Sequence, residues 1–518
     1  MNDKPITTPK RLVHNTIFNV ATLVTNAIIG FFMIRFFLGR LGVPQYGIWV
    51  LVGGTIFRYA PLLNMGLSSS INRYIPVYLA EKNDLGIRQV IDSSLLTFSF
   101  LATVLAAITV IVYYNVEVWF SIDPAFVPAA KSLVLIVGLS FAVSMPMQLA
   151  TAVLSGLQRF DITNLVLFSV VVLRTIILVI LLFHGYGLLT MGVVFGLGEV
   201  SVRGLQFSVA KRLLPQLSLS FANVNFKLLR EMLAYGINTL MYAMGTIMIY
   251  QASNLIIGIF IDTASVSQFT CASAGVLLLA QLVQAFTAAI KPAVSDLDAR
   301  QDDATVKEIA FLTQKYSLLL IIPGACFLIG MGREFLWIWV GAKFQDPAAI
   351  QTMGTILNIL IIGHCLKLAQ LSNFFVLVGR GQHKIFGIFT VLMAILCVSA
   401  SIISVKVFNL GLIGIAWSNS LPMAIISGTI LPIYFNRKMK ISTMENFQRV
   451  WIPAITGSLP TAIMIILWKY LAKPDSWIEI ICVFIAVVVL TTVSAWFLSL
   501  KKVERKRFLN IALRRKDK

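Results

Sequence analysis

Fourteen stretches of about 20 mainly apolar residues follow one another along this chain of 518 residues, and that recurrence leaves few folds open. A hydrocarbon layer about 30 Å thick takes roughly 20 residues of helix to cross, and a helix satisfies its own backbone where no water is present. The pattern predicts spans over 12–37, 46–65, 93–114, 133–154, 162–183, 188–209, 237–261, 266–290, 316–340, 350–378, 385–407, 412–434, 452–471 and 478–498. The expected fold is an all-α polytopic membrane protein. With 58% of residues hydrophobic and 12% charged, little remains to build a domain outside the bilayer. The basic opening MNDKPITTPKRLVHN precedes an apolar run too long for a signal-peptide core, so that run reads as a retained first span.

The formal net charge of +20 raises nucleic acid as a partner, and the placement of the charges argues against it. With the N-terminus inside, the inner segments carry Lys10, Arg11, Arg73, Lys82, Arg88, Arg159, Lys211, Arg212, Lys227, Arg230, Lys291, Arg300, Lys307, Arg380, Lys384, Arg437, Lys438, Lys440, Arg449 and the tail KKVERKRFLNIALRRKDK. The outer segments hold only Arg40, Lys131, Arg333, Lys343, Lys406, Lys469 and Lys473, a roughly fourfold difference that fixes orientation. Both termini are therefore expected in the cytoplasm of a cell carrying this chain in its inner membrane. The tail is expected to lie on anionic lipid headgroups. Cys271, Cys326, Cys365, Cys397 and Cys482 show no metal-ligand spacing, and neither a metal nor another cofactor is implied.

An internal repeat appears at an offset of about 219 residues. It aligns Ile71 with Ile290, Ala80 with Ala299, Asp84 with Asp303 and Arg88 with Lys307. At the same offset Asn19 meets Asn238, Arg35 meets Asn254 and Gly39 meets Gly258, while Leu157–Asp161 corresponds to Val378–Gln382. The expected organisation is two pseudo-symmetric six-helix lobes, 1–215 and 216–440, followed by two appended helices and a basic tail in 441–518.

The segment FFLGRLGVPQYGIWVLVGGTIFRYAPLLNMGLSSSINRYI, Phe36 to Ile75, resembles the first hairpin of polysaccharide flippases in the superfamily that also holds multidrug and toxin extruders. LGVPQYGIW and NMGLSSSINRY carry most of the likeness, and the plan of six, six and two helices agrees with it over the whole chain. The resemblance implies translocation of a polyprenyl-diphosphate-linked oligosaccharide by alternating access between two lobes. Two positions depart from the wider pattern. The first span has Asn15, Asn19, Asn26 and Arg35 where multidrug members place an acid, and Asn254 stands late in the seventh span where many flippase relatives carry one.

Ionisable groups inside a bilayer cost about 2.5–3.5 kcal/mol on insertion scales, so each is a functional candidate. Arg58, Arg174 and Lys367 lie deep in spans 2, 5 and 10, and Arg35 lies toward the outer end of span 1. A cavity bearing these cations suits a diphosphate, which a planar guanidinium grips through two oxygens. Asn19 and Asn254 sit on polar faces at helical spacing and offer donors and acceptors to sugar hydroxyls, with interhelical hydrogen bonding as the rival role. Arg203, four residues after Glu199, is expected in an ion pair, and for Arg35 and Lys315 snorkelling to an interface is the rival role.

The partners implied are a lipid-linked oligosaccharide, membrane lipids and polysaccharide assembly proteins. A cation-coupled multidrug exporter of the same fold is the first alternative and a membrane glycan polymerase or ligase the second. No outer loop exceeds about 20 residues and no nucleophile or nucleotide-binding pattern is present, so no enzymatic activity is expected.

Overall fold

The computed structural model describes residue 25 and residues 28–287, 290–344, 346–382, 384–472 and 474–506, which form helices joined by short turns, with no strand among them. The helices are α1 (28–41), α2 (Val43–Asn64), α3 (Leu67–Ala80), α4 (Asp84–Trp119), α5 (Val127–Ser144), α6 (Gln148–Gly156), α7 (Phe160–Phe183), α8 (Leu188–Leu213) and α9 (Phe226–Phe260). Then come α10 (Thr263–Thr287), α11 (Ile290–Ala299), α12 (Asp303–Val340), α13 (Pro347–Ala369), α14 (Leu371–Gly379), α15 (Lys384–Lys406), α16 (Gly411–Met439), α17 (Thr443–Leu471) and α18 (Trp477–Ser499). Among the described residues, 13 spans are long and apolar enough to cross a bilayer, and they coincide with expected spans 2 to 14. The first expected span, with Asn15 and Asn19, falls largely outside the described residues.

Several helices outrun the apolar stretch that announced them, because capping residues start them in the polar layer. α4 begins at Asn83, whose Oδ1 accepts from the Gly86 backbone N–H at 2.8 Å, and α12 begins at Asp302, whose carboxylate accepts from Thr305 N–H at 3.0 Å. These two caps stand 219 residues apart, as the sequence offset requires. Lys82 (φ 54°) and Gln301 (φ 58°) precede them, both in the left-handed region that costs a non-glycine residue on the order of 1 kcal/mol. Two further left-handed corners recur, Gln158 with Gly381 and Gly185 with Asn409. The short helices α3 and α11 recur as well, and so do the interruptions that separate α5 from α6 and α13 from α14. Two pseudo-symmetric six-helix repeats followed by two more helices therefore describe the chain.

Contacts group the chain into two compact units, Met1–Thr270 with Thr390–Ala394, and Cys271–Phe389 with Ile395–Lys518. In the first unit one apolar core joins Ile48, Leu51 and Val52 of α2 to Leu101 and Leu105 of α4, Leu133 and Val137 of α5 and Met191 of α8. A second core joins Ile71 and Ile75 of α3, Val90 of α4, Leu149 and Val153 of α6 and Met232 of α9. α9 crosses the end of α2 at a pair of glycines. A Cβ added at Gly236 would stand 2.7 Å from the Gly66 carbonyl carbon, and Gly66 itself is left-handed at φ 75°, so neither position has room for a side chain. Beside this crossing Ser70 Oγ donates to the Met232 carbonyl at 2.5 Å.

Each long helix grips the start of the helix that follows its own repeat. On α4, Asp92 Oδ2 accepts from Asn223 N–H at 2.8 Å and from its side-chain amide at 3.0 Å, and Ser93 Oγ accepts from Asn225 N–H at 2.9 Å. In the second unit, Gln314 of α12 accepts from Asn446 Nδ2 at 3.0 Å, Glu308 pairs with Arg449, and the Arg449 guanidinium lies 4.1 Å from the Phe311 ring centre. One turn further along α12, Lys315 meets a partner from a distant part of the chain. Its side chain is 3% exposed, and its Nζ sits 2.7 Å from both carboxylate oxygens of Glu504, a residue past the end of α18. The carboxylate arrives from 189 residues away, and local spacing carried no sign of it.

Candidate functional site

α2 is not a uniform α-helix. Val43–Trp49 is α-helical, Val50–Thr55 widens to a π-helix, and Ile56–Asn64 tightens to a 3-10 helix that ends in two left-handed residues, Met65 and Gly66. The sequence carries the causes: Gly53 and Gly54 loosen the helix, and Pro61 removes an amide from its last turns. At three residues per turn, side chains i and i+3 eclipse one another. Phe57 and Ala60 form the buried row, 1% and 5% exposed. Ile56 and Tyr59 form a second row and line an apolar crevice of about 480 Å³ with Val112, Trp119, Leu255 and Ile259 of α4 and α9. Arg58 heads the third row, exposed, with no hydrogen-bond or ion-pair partner among the described residues.

Arg174 lies midway along α7, half-buried against α8. A Cβ added at Gly198 would come within 2.9 Å of Arg174 Cδ, so this glycine lets the arginine stem lie flat on α8. The guanidinium is carried 4.6 Å from the centre of the Phe195 ring, a cation–π arrangement. Phe195 touches Trp49 of α2 edge-on at 5.3 Å and faces Phe141 of α5 at 6.3 Å, and Phe141 stacks on Phe57 at 5.9 Å. An aromatic chain thus runs from beneath Arg174 to the residue before Arg58. One turn along α8 from Phe195, Glu199 pairs with Arg203 at 3.0 Å, as the i,i+4 spacing predicted. Arg203 Nη1 donates to Thr151 Oγ1 at 3.0 Å, and Thr151 in turn donates to Gln206 at 2.5 Å. Arg203 is thereby tied into a polar network, whereas Arg174 has no hydrogen bond or ion pair among the described residues.

Asn254 is half-buried on α9, and its Oδ1 accepts from Thr270 Oγ1 at 3.5 Å. Arg35 is half-buried on α1. In the second unit Lys367 lies near the end of α13, its Nζ closed off from the surface, three residues before the interruption at Gln370. Asn373 donates to Gln370 there at 2.9 Å, and His364 Nδ1 sits 3.0 Å from the Leu360 carbonyl, which occupies it locally. Asn19 falls outside the described residues. The structure links Arg174 through rings to the segment bearing Arg58 within the first unit, and it places Lys367 in the second.

Residues 62–349, more than half of the chain, match a family described as polysaccharide biosynthesis protein. The chain belongs to that polysaccharide biosynthesis family. Its fold is similar to the lipid II flippase MurJ in an inward closed conformation, with a TM-score of 0.69 at 16% identity, covering 97% of this chain and 100% of the other. It is also similar to an inward-facing multidrug resistance transporter of the MATE family, TM-score 0.64 at 12% identity, covering 82% and 98%. A MATE transporter in complex with MaL6 gives 0.58 at 12% identity, over 83% and 96%. No curated protein matches at the level of sequence. This member of the polysaccharide biosynthesis family thus has a fold similar to those of a lipid II flippase and of multidrug transporters, and Arg58 lies four residues before the matched stretch.

Proposed function

We propose that this protein carries a polyprenyl-diphosphate-linked oligosaccharide across the cytoplasmic membrane by alternating access of lobes 1–215 and 216–440, with both termini in the cytoplasm. The observation that carries the reading is Arg58, an exposed residue with no hydrogen-bond or ion-pair partner among the described residues, about two-thirds of the way along a membrane span. A cation turned toward lipid at that depth is costly, whereas one facing a water-filled cavity is available to a diphosphate. Arg174, laid over an aromatic face, offers its edge donors to the same ligand class. Lys367 supplies a point charge, and Arg35, Asn19 and Asn254 complete a polar lining for the sugars. The lipid tails stay in the bilayer and no bond is broken.

Two of the acids inside the spans are engaged, whereas Glu334 of α12 has a buried Oε2 with no hydrogen-bond partner among the described residues. Glu199 is held by Arg203, and Asp92 accepts from Asn223 through Oδ2. The test is translocation of a defined lipid-linked oligosaccharide in proteoliposomes. Arg58→Ala and Arg174→Ala are expected to lose transport while the protein still inserts, and precursor is expected to accumulate on the inner face in cells. Wild-type export by both variants would refute the assignment of the site.

A further inference from the structure

The segment after α18 holds a second feature that transport does not use. α18 crosses the bilayer in 23 residues, about 35 Å of helix, so residues 500–506 emerge at the headgroup layer of the leaflet where it ends. The segment carries Lys501, Lys502, Arg505 and Lys506 and a single acid, Glu504. That acid is taken inward: its two oxygens meet Lys315 Nζ at 2.7 Å, and one also accepts from Lys501 N–H at 2.9 Å. Arg505 is turned back onto α18, donating to the Phe497 carbonyl at 2.8 Å and the Leu500 carbonyl at 3.0 Å. Lys501, Lys502 and Lys506 remain exposed, and Val503, Phe497 and Leu498 beside them are 65%, 65% and 56% exposed.

We propose that residues 497–506 form a docking surface for anionic phospholipid headgroups, held in register by the buried Lys315–Glu504 pair. Internal neutralisation of the only acid leaves a surface of a single sign, and the exposed apolar side chains give it an edge to sink among acyl chains. Pairing Glu504 internally also fixes the geometry: the three lysines are presented by a segment clamped to α12 instead of by a free tail. The inference stands apart from the transport reading, since it depends on none of the candidate site residues.

The test uses the full chain in nanodiscs of phosphatidylcholine alone and of phosphatidylcholine containing phosphatidylglycerol, with backbone hydrogen exchange read over residues 500–506. Phosphatidylglycerol is expected to slow exchange there by about tenfold or more, since each lysine near an anionic surface contributes an effect of several-fold. The difference is expected to vanish in ~1 M salt, where charges are screened within about 3 Å. It is also expected to vanish in a Lys501→Gln, Lys502→Gln, Lys506→Gln variant whose α12 amides remain as protected as in the parent. Equal exchange of the parent protein in the two lipids overturns the proposal, and so does a difference that survives in the triple variant.

Discussion

Replacing Lys315 by Met removes one half of a buried ion pair while keeping an unbranched side chain of similar length. The two side chains are 3% and 10% exposed, and Lys315 Nζ stands 2.7 Å from both oxygens of Glu504. Removing one member of such a pair leaves the other buried without compensation and costs about 3–5 kcal/mol, a factor of a few hundred or more in an opening equilibrium. Glu504 escapes that cost by leaving its site, because beyond this pair the segment is tied back to α18 by the Arg505 guanidinium and the Leu500 amide. The expected result is therefore local: residues 500–506 lose protection from hydrogen exchange by two orders of magnitude or more, while α13 and α15 keep theirs. Adding Glu504→Gln to Lys315→Met is expected to recover most of the loss, since no charge is then left buried. Single variants within about 1 kcal/mol of the parent, or costs that add in the double variant, would refute the account of this pair.

Gly236→Val is expected to jam the crossing of α9 over Gly66, where even a Cβ finds backbone 2.7 Å away, and to lower thermal stability in nanodiscs well beyond Gly204→Val, at a position with nothing within 4 Å. Phe195→Ala removes the ring under Arg174 and breaks the aromatic contact to Trp49 and Phe141; transport is expected to fall with Arg174 still present, which a proteoliposome assay reads. Arg174→Lys is expected to keep the charge but lose most of the transport, because an ammonium cannot present planar paired donors. Asp92→Ala leaves Asn223 without its carboxylate partner and is expected to cost about 1–3 kcal/mol, read by exchange of the segment leading into α9.

The membrane spans were legible because hydrocarbon imposes a length and a composition that little else imitates. The repeat was legible for a different reason: capped starts and left-handed corners need particular residues, and Asn83 with Asp302 kept both the cap chemistry and the spacing. The pairing of Arg203 with Glu199 was readable because it is local, four residues on one helix. The pairing of Lys315 with Glu504 was not, since nothing within a turn of either residue points to a partner 189 positions away. The irregular course of α2 had a signal in Gly53, Gly54 and Pro61, but apolar content alone reads such a stretch as ordinary helix. Which of the intramembrane arginines would be tied up also depended on tertiary neighbours, Thr151 for Arg203 and the ring of Phe195 for Arg174.

The tightly wound stretch Ile56–Asn64 has a mechanical meaning. Nine residues at three per turn measure about 18 Å, and the same nine at 3.6 per turn about 13.5 Å. Passing from one winding to the other shortens the segment by about 4.5 Å and turns its ends relative to each other by about half a revolution. Both windings lie in one basin of backbone angles, so the exchange meets no forbidden conformation. With its far end held against Gly236 at Gly66, an exchange between the two windings would turn rotation into stroke as a threaded rod does, and would carry Arg58 with it.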